Sequence, residues 1–522
     1  MAVTVLDYSA EEYVGTTLQT ADTFGQKAET VHESVDAVIV GAGPSGIIAG
    51  MVLAEAGMDV IIVEGGRFWP RNSFKRRQSW AAKHLMQEQG TRVMTGNAFI
   101  PVASGRGVGG GTLVNSAICF RAPDPVLDEW VDKWGLDYFS KEKREALFAE
   151  VEEGIGVAPT PANIAGENSL IAQRGFRTLG FNAGFMPRNA PGCVGCGTCQ
   201  TGCPTGGKAS ADVTWLPRFL RAGGRLFADT RAESINTASS DSRATGVEAT
   251  LYNPDDRSPM AHLSIDADRV ILAAGAINTS LILQRQSLAN SSGQVGRNLR
   301  VHPACGVIAR FEEEVRIWSG ATQGYYAYHP DDPEVLLETF SASPDVFLAQ
   351  TAVVGEVEAG DFLRDMKYLA GCGVMIRDSS SGRVRPGRGH AANISYNVNR
   401  EDVKKFIMGL HTITEMFFEA GSRAVMPMVE DTRFFRSRNM ASDHVRIKNS
   451  ASDLFLYSSH PMGTCRIGDD PNRAVVRPSD GQTHDVENLF IVDSSLFPTA
   501  LGANPQVSIM AQALALARGM GG

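Results

Sequence analysis

The sequence predicts an α/β fold in which a doubly wound, Rossmann-like sheet is joined to a second, strand-rich domain. The chain has 522 residues, 43% of them hydrophobic and 20% charged, which is enough for a large core and more than one domain. Residues 35–63 have the pattern of a strand, a glycine turn, a helix and a strand, as in a βαβ unit. Between 300 and 450 the pattern changes to alternating strand-like runs with one long amphipathic helix near 402–419.

The pattern divides the chain into four segments. We expect an N-terminal arm over 1–34 and a first domain over 35–300, which includes a cysteine-rich loop at 190–210. A substrate-facing domain should follow over 301–454, and residues 455–522 should return to the first domain. The return carries a predicted strand over 488–492 and a predicted helix over 505–518.

Composition excludes several function classes. The net charge of −9 and the lack of a basic stripe argue against nucleic acid as a partner. No run approaches the roughly 18 apolar residues of a transmembrane helix, and the first 34 residues do not resemble a secretory signal. We therefore expect a cytoplasmic protein with no transmembrane segment, which meets a membrane only through a partner.

The glycine turn has the residue types of a dinucleotide site. Gly41 allows the sharp turn, Gly43 lets the backbone approach a pyrophosphate, and Gly46 allows close packing of strand and helix. Glu64 follows 18 residues after Gly46, where it can accept hydrogen bonds from ribose hydroxyls. An acidic residue there disfavours a 2′-phosphate. The turn alone leaves both FAD and NAD open.

Motifs spread along the chain resemble the glucose–methanol–choline (GMC) family of FAD oxidoreductases. They occur in the family's order over nearly the whole sequence, which makes the set more specific than any one of them. The segments that carry the resemblance are Val40–Gly46, Gly105–Asn115, Ala273–Ser280, Val295–Leu299 with His302-Pro303, His460–Cys465, Val492–Ser494 and Asn504-Pro505.

The resemblance implies a doubly wound FAD-binding domain beside an antiparallel-sheet substrate domain, with FAD as the cofactor. It implies that Gly109, Gly110 and Asn115 pass along the flavin, and that Asp493 binds the ribityl or diphosphate region. The helix that begins at Pro505 would direct its N-terminus toward negative charge on the reduced flavin. Within the family, the sequence is most similar to a branch with long-chain alcohol oxidases and FAD glucose dehydrogenase large subunits.

The resemblance also implies a catalytic pair, His460 and Asn504. Alcohol oxidation needs a base for the hydroxyl proton, and a neutral imidazole suits that role. Asn504 cannot take the proton, but it can hydrogen-bond the alcohol or alkoxide oxygen. The simpler alternative is that His460 only packs a turn. His302, His329 and His484 are candidate neighbours, although a structural role is favoured for each of them.

Four cysteines are spaced C-x2-C-x2-C-x3-C and are followed by proline: Cys193, Cys196, Cys199 and Cys203. This is the spacing of bacterial ferredoxin ligands, although the fourth cysteine of such a run can serve another cluster. In the FAD glucose dehydrogenases, three cysteines hold a cluster, and the resemblance places them at Cys193, Cys199 and Cys203. We therefore predict an iron–sulfur cluster, with [4Fe–4S] favoured and [3Fe–4S] possible. Zinc, free thiols and a disulfide are the alternatives.

These observations predict an FAD-dependent alcohol dehydrogenase acting on a small-molecule alcohol. A cluster beside the flavin would pass single electrons to a partner, which could be a cytochrome, a ferredoxin, a small subunit or a quinone. One alternative is an oxygen-using alcohol oxidase with a structural cluster, and another is a non-redox GMC-type lyase. Long-chain, cyclic and sugar alcohols all remain open as substrates.

Overall fold

The structure is a computed structural model that describes residues 9–24, 30–238, 242–341, 343–346 and 356–521. The strands of these ranges are β1 (Leu18–Gln19), β2 (Thr30–Val40), β3 (Val60–Val63), β4 (Val93–Met94), β5 (Ile100–Pro101), β6 (Ala158–Pro159), β7 (Ala183–Phe185), β8 (Pro187–Arg188), β9 (Arg225–Phe227), β10 (Thr230–Thr237), β11 (Ala244–Tyr252), β12 (Pro259–Leu272), β13 (Ala304–Arg310), β14 (Tyr325–His329), β15 (Asp332–Thr339), β16 (Leu369–Ile376), β17 (Gly382–Pro386), β18 (Ala392–Tyr396), β19 (Ala424–Pro427) and β20 (Leu489–Ile491). The helices are α1 (Pro44–Glu55), α2 (Gln78–Leu85), α3 (Asp124–Trp134), α4 (Lys141–Gly154), α5 (Ala162–Ala165), α6 (Glu167–Thr178), α7 (Ala211–Arg221), α8 (Gly275–Gln286), α9 (Glu356–Asp365), α10 (Arg400–Glu419), α11 (Arg438–Arg446) and α12 (Gln506–Met520).

The first sheet is the predicted dinucleotide-binding sheet. Its strand order is β1-β9-β3-β2-β12-β11-β10, and β20 also pairs with β12. The pairs from β1 to β12 and the β12–β20 pair are parallel, whereas β11 and β10 are antiparallel additions. All four residues of β3 are buried, as expected for a strand covered on both faces. Helix α1 packs on β3 and contacts α7 and α12. The predicted doubly wound architecture is confirmed.

The second sheet forms the substrate domain. Its six strands are all antiparallel, in the order β19-β13-β16-β15-β14-β7. Helices α6 and α10 pack against it and close an apolar core separate from that of the first sheet. Strand β7 and helix α6 lie within 35–300, so the substrate sheet takes in a segment that the predicted boundary assigns to the first domain. The sequence could not reveal this pairing, because Ala183–Phe185 meets a strand about 140 residues further along the chain.

The C-terminal segment returns to the first sheet. Strand β20 occupies Leu489–Ile491 against the predicted 488–492, and α12 occupies Gln506–Met520 against the predicted 505–518. In the predicted arm, β1 adds an edge strand beside β9, whereas residues 1–8 and 25–29 lie outside the described residues. Within the described ranges, no helix is both long enough and apolar enough to cross a membrane.

Candidate active site

The predicted dinucleotide turn joins β2 to α1. Gly41 has a φ of +109°, and a Cβ there would lie 2.5 Å from the carbonyl oxygen of Ala273. A Cβ on Gly46 would lie 2.0 Å from the carbonyl oxygen of Gly41, so only glycine lets the helix approach the strand. A Cβ on Gly43, by contrast, would have no atom closer than 4.0 Å. The space in front of the α1 N-terminus is therefore open to a phosphate group.

Glu64 directly follows β3 and is partly buried. Its carboxylate accepts hydrogen bonds from the backbone N–H of Ala42 at 2.9 Å and of Gly66 at 2.8 Å. Burial raises the pKa of Glu64, and the two N–H donors and the charge of Arg106 oppose that shift. Arg106 was missed by the sequence analysis, although it lies in the glycine-rich loop beside the predicted Gly109. Its guanidinium donates to the carbonyl oxygen of Gly65 at 3.2 Å.

The second glycine loop lies directly on the dinucleotide turn. The N–H of Gly109 donates to the carbonyl oxygen of Ala42 at 2.7 Å. A Cβ on Gly110 would lie 2.8 Å from the Cα of Gly43, so a side chain there would push the two loops apart. The structure thus brings together the predicted residues of both loops, with open space at Gly43.

Asn115 connects the glycine loop to the start of α12. Its side-chain amide donates to Gln506 Oε1 at 2.8 Å, and Pro505 caps the same helix end. The buried ammonium of Lys208 donates to the carbonyl oxygen of Asn115 at 3.0 Å. The predicted residues Asn115 and Pro505 therefore belong to one hydrogen-bonded assembly.

Asp493 holds the start of α8 in place. Its Oδ2 accepts from the N–H of Gly275 at 2.8 Å and from the hydroxyl of Thr279, and its Oδ1 accepts from the N–H of Ser495 at 2.8 Å. Burial raises the pKa of Asp493, and these hydrogen bonds oppose the shift. The structure gives Asp493 a role that the sequence did not predict. Its contact with a cofactor stays a prediction.

His460 is the predicted base, and protein surrounds it on most sides. Burial lowers its pKa from 6.5 to about 4, which keeps the imidazole neutral near pH 7. Its Nδ1 is buried without a hydrogen-bond partner. Three residues on, Gly463 turns with a φ of +84°, and the Thr464 hydroxyl donates to the carbonyl oxygen of Ala276 in α8. These contacts attach the His460 segment to the first domain.

His302 lies between the two predicted catalytic residues. Its Nε2 accepts hydrogen bonds from the N–H groups of Leu501 and Gly502, both at 3.0 Å, three and two residues before Asn504. Its ring meets the ring of His460 edge-on, with 5.4 Å between centroids. Burial and the neighbouring His460 hold the pKa of His302 well below its usual range, so it is neutral.

The other two candidate histidines do not join this group. The His329 ring bonds the hydroxyl of Thr412 at 3.0 Å. The His484 ring bonds the carbonyl oxygen of Gly468 at 2.9 Å. Of the three candidate neighbours, only His302 belongs to the site.

Glu338 is an acid of the site that the sequence analysis missed. It is buried near the end of β15, where its carboxyl group contacts the side chain of Asn504 and its Oε2 accepts a hydrogen bond from the amide of Gln323 at 3.5 Å. Desolvation by burial raises the pKa of Glu338 to about 8. The run Val335-Leu-Leu-Glu-Thr339 contains the signal that could have revealed it, because a lone glutamate there interrupts a strand that is otherwise buried and apolar.

The four cysteines of the 190–210 loop do not converge in this structure. Arg188 donates to the sulfurs of Cys193 at 3.8 Å and Cys199 at 3.2 Å, whereas Cys196 contacts Thr198 and Cys203 contacts Thr205. Among the described residues, no group of three or more His, Cys, Asp or Glu side chains is arranged to hold a metal ion. This arrangement of thiols therefore does not fit an iron–sulfur cluster.

A buried arginine instead provides the charge that faces two of the thiols. Burial acts to raise the pKa of Cys199, but the charges of Arg188 and Lys208 outweigh it and the pKa is lowered. Within the part of the chain that the structure describes, the cysteines are free rather than in disulfides. Arg188 was not predicted, because it precedes the cysteine run and lies on a separate short strand, β8.

The glycine cradle fits FAD. Open space at Gly43 and Gly111, the α1 N-terminus and the carboxylate of Glu64 together supply room for a ring system, a phosphate site and a ribose acceptor. With an antiparallel domain that brings Glu338 to Asn504, this geometry defines the class of an FAD-binding oxidoreductase. The comparisons with known proteins give the family.

Family models described as GMC oxidoreductase match residues 82–304 and 378–513, and an FAD binding domain matches residues 34–68. An uncharacterised GMC-type oxidoreductase of Mycobacterium tuberculosis is 33% identical over 92% of this chain and 75% of its own length. A long-chain-alcohol oxidase of Arabidopsis thaliana, FAO1, is 26% identical over 94% of this chain and 67% of its own length. The chain belongs to the GMC oxidoreductase family, and it is an FAD enzyme that oxidises CH–OH donors.

Solved structures share the fold. Pyridoxine 4-oxidase from Mesorbium loti aligns with a TM-score of 0.68 and 18% identity, over 92% of this chain and 98% of that chain. Formate oxidase from Aspergillus oryzae aligns with a TM-score of 0.69 and 15% identity, over 94% of this chain and 98% of that chain. At these identities the likeness concerns the architecture alone, and it confirms the predicted fold class.

Proposed function

We propose that this protein oxidises an apolar alcohol to its carbonyl compound, with His460 as the base. The observation that carries the proposal is the neutral imidazole of His460, whose pKa burial lowers to about 4, beside His302 and the loop of Asn504. A neutral imidazole can accept the hydroxyl proton as the C=O bond forms. Bound FAD supplies the acceptor for the hydride that leaves carbon.

Asn504 supplies the second polar contact in this proposal. Its side chain is buried, and its Oδ1 has no hydrogen-bond partner among the protein groups. An amide in this position can hydrogen-bond the alcohol oxygen and stabilise the negative charge that develops when the proton leaves. His302 fixes the loop before Asn504 through its two N–H acceptor contacts.

The side chains around Asn504 favour an apolar substrate. A buried cluster spans both domains here, and its members come from the segment after Asn115, from the residue between β7 and β8, from β13, β15 and β16, and from Ala503. The cluster consists of Ile118, Phe120, Met186, Ala304, Leu336, Met375 and Ala503, with Tyr326 and Tyr328 against it. The Arabidopsis relatives named long-chain-alcohol oxidases support the same substrate class.

Anaerobic bleaching of the flavin by a panel of alcohols tests the proposal. We expect long primary alcohols to reduce the flavin faster than short alcohols or a sugar, because a long alkyl chain buries more apolar surface against the cluster. A sugar that reduces the flavin fastest would refute the apolar substrate. If no alcohol bleaches the flavin, the redox function itself is wrong and the lyase alternative takes its place.

Which electron acceptor the enzyme uses depends on whether the cysteine loop binds an iron–sulfur cluster. The relay to a partner protein or quinone was inferred from the predicted cluster, and that cluster now rests on the cysteine spacing alone. The relatives named oxidases favour oxygen as the acceptor. Anaerobically prepared protein should contain about four irons and four sulfides per chain if all four thiols bind one cube. About three irons would exclude Cys196 as a ligand. Protein without iron would remove the relay and leave the oxidase alternative.

A further inference from the structure

Glu338 is a buried acid for which the described part of the chain provides no cationic partner. It is 5% exposed, and among the described residues no lysine, arginine or histidine forms an ion pair with it. Glu334, on the same strand, pairs with both Arg377 and Lys405. Glu338 and Glu334 therefore differ in their electrostatic environment, because burying an ionised carboxylate without a cation costs far more free energy than burying a paired one.

Two buried oxygens near each other lack a donor. Glu338 Oε1 and Asn504 Oδ1 are both buried without a hydrogen-bond partner, although the two side chains are in contact. The other carboxylate oxygen, Oε2, is 3.5 Å from the amide nitrogen of Gln323. A proton on Glu338 would supply one donor to a pair of side chains in which two acceptor oxygens lack one, since a protonated carboxyl group donates one O–H bond.

The surroundings of Glu338 favour that proton. Desolvation raises its pKa to about 8, and the amides of Asn504 and Gln323 offset this only in part. In the register of the sheet its cross-strand neighbours are Tyr326 and Gly373. The titratable groups next to it on the adjoining strands and at Tyr457 are phenols and a thiol, and burial raises the pKa of each of them: Tyr326, Tyr328, Cys372 and Tyr457.

We propose that Glu338 is a positioning residue of the alcohol site, which as a neutral acid donates its O–H to Asn504 Oδ1 and turns the amide N–H toward the alcohol oxygen. Rotation about the last side-chain bond of Asn504 suffices, because its oxygen and nitrogen exchange places without backbone movement. Ionised Glu338 would instead accept the N–H and leave Oδ1 facing the developing alkoxide. The proposal rests on the alcohol oxidation inferred above.

The first test is the pH dependence of flavin reduction in the holoenzyme under anaerobic conditions. For the wild type we expect the rate constant to fall on the order of 10²-fold as pH rises through about 8, because the donor to the alkoxide is then lost. Glu338→Gln should keep the rate at pH 7 within about threefold and lose the alkaline fall, because a glutamine amide donates at every pH. Glu338→Leu should be slow throughout, with kcat reduced more than KM is raised.

An exposed acid away from the site provides the control for this test. Glu312→Gln alters an exposed acid of the same domain that pairs with Arg423, and it should leave the pH profile unchanged. An alkaline fall that persists in Glu338→Gln belongs to another group, and it overturns the proposal. A Glu338→Leu variant as fast as the wild type overturns it too.

The second test needs no alcohol. Because folding raises the pKa of Glu338 above 4.5, the stabilisation from its proton is complete below pH 4.5 and is lost as pH rises through about 8. The Tm of Glu338→Gln should therefore exceed that of the wild type by a margin that grows between pH 5 and pH 8 and then levels off. Infrared difference spectra should contain a protonated carboxyl band at pH 6 that Glu338→Gln lacks.

The two tests separate the possible failures. If the Tm difference between Glu338→Gln and the wild type does not change with pH, and the wild type lacks the protonated carboxyl band, Glu338 is ionised. That result overturns the inference, whatever the kinetics with alcohols show. If the margin grows but no alcohol reduces the wild-type flavin, Glu338 is neutral and alcohol oxidation is the part that fails. That result also removes the positioning role.

Discussion

Replacing His460 by alanine tests the chemistry most directly. The variant loses the only group that we assign to the hydroxyl proton, so flavin reduction by alcohol should slow by roughly 10²–10⁴-fold. FAD should remain bound, because the backbone turns at Gly41 and Gly109 that form the cradle do not involve His460. The assay is anaerobic stopped-flow reduction at saturating alcohol, with FAD content measured on the same preparation.

The pKa of His460 determines how the rate of flavin reduction depends on pH. With a pKa of about 4, the imidazole is about 99.9% neutral at pH 7, so the wild-type rate should not change between pH 6 and pH 7. The rate should halve near pH 4, because a protonated imidazole cannot accept the hydroxyl proton. The alanine variant should lack this acid limb, and imidazole added to the buffer should restore part of its rate.

A second histidine provides the control. His484 bonds the carbonyl oxygen of Gly468 outside the site, and His484→Ala should leave the reduction rate within about twofold of the wild type. Unchanged reduction in His460→Ala would show that the base is misplaced. A slow variant that has also lost its FAD would give His460 a structural role and refute the reasoning.

Three other variants test the cradle and the second catalytic residue. Glu64→Ala should weaken FAD retention by about 1.5–3 kcal/mol through the loss of charge-assisted hydrogen bonds, seen as a higher dissociation constant in equilibrium dialysis. Gly46→Ala places a Cβ 2.0 Å from the carbonyl oxygen of Gly41, so it should lower the free energy of unfolding by at least about 2 kcal/mol in urea titrations. Asn504→Ala should slow flavin reduction on the order of 10²-fold, as expected for the loss of one donor to the developing alkoxide, and by less than His460→Ala, because the base remains; a larger loss than in His460→Ala would reverse the two roles.

The features that were predictable from sequence are those built from neighbouring residues. The turn at Gly41 and Gly46, the acid at Glu64 and the helix that begins after Pro505 are local, since turn geometry and helical periodicity depend on residues a few positions apart. The resemblance pointed to His460 and Asn504 because their motifs are also short. For the same reason, the predicted bounds of β20 and α12 differ from the structure by only one or two residues at each end.

The arrangement of the four cysteine side chains could not be predicted from their spacing in the sequence. Positions two and three residues apart are compatible with a cluster, but spacing does not determine where the sulfurs point. Arg188, on a separate strand, lies against Cys193 and Cys199, and its charge opposes the effect of burial on the pKa of Cys199. The fold of the loop decides whether the thiols lie beside Arg188 or converge as ligands of a metal cluster.

By itself the sequence determined a doubly wound domain with a dinucleotide turn, and its motifs pointed to the family and to the pair of residues that we propose as catalytic. The tertiary structure decided which side chains surround that pair. Glu338 reaches Asn504 across 166 positions of sequence, and His302 reaches Gly502 across 200. Contacts of this range depend on how the antiparallel sheet packs against the first domain, and no periodicity encodes them. The desolvation that raises the pKa of Glu338 and lowers that of His460 arises only when both domains enclose the site.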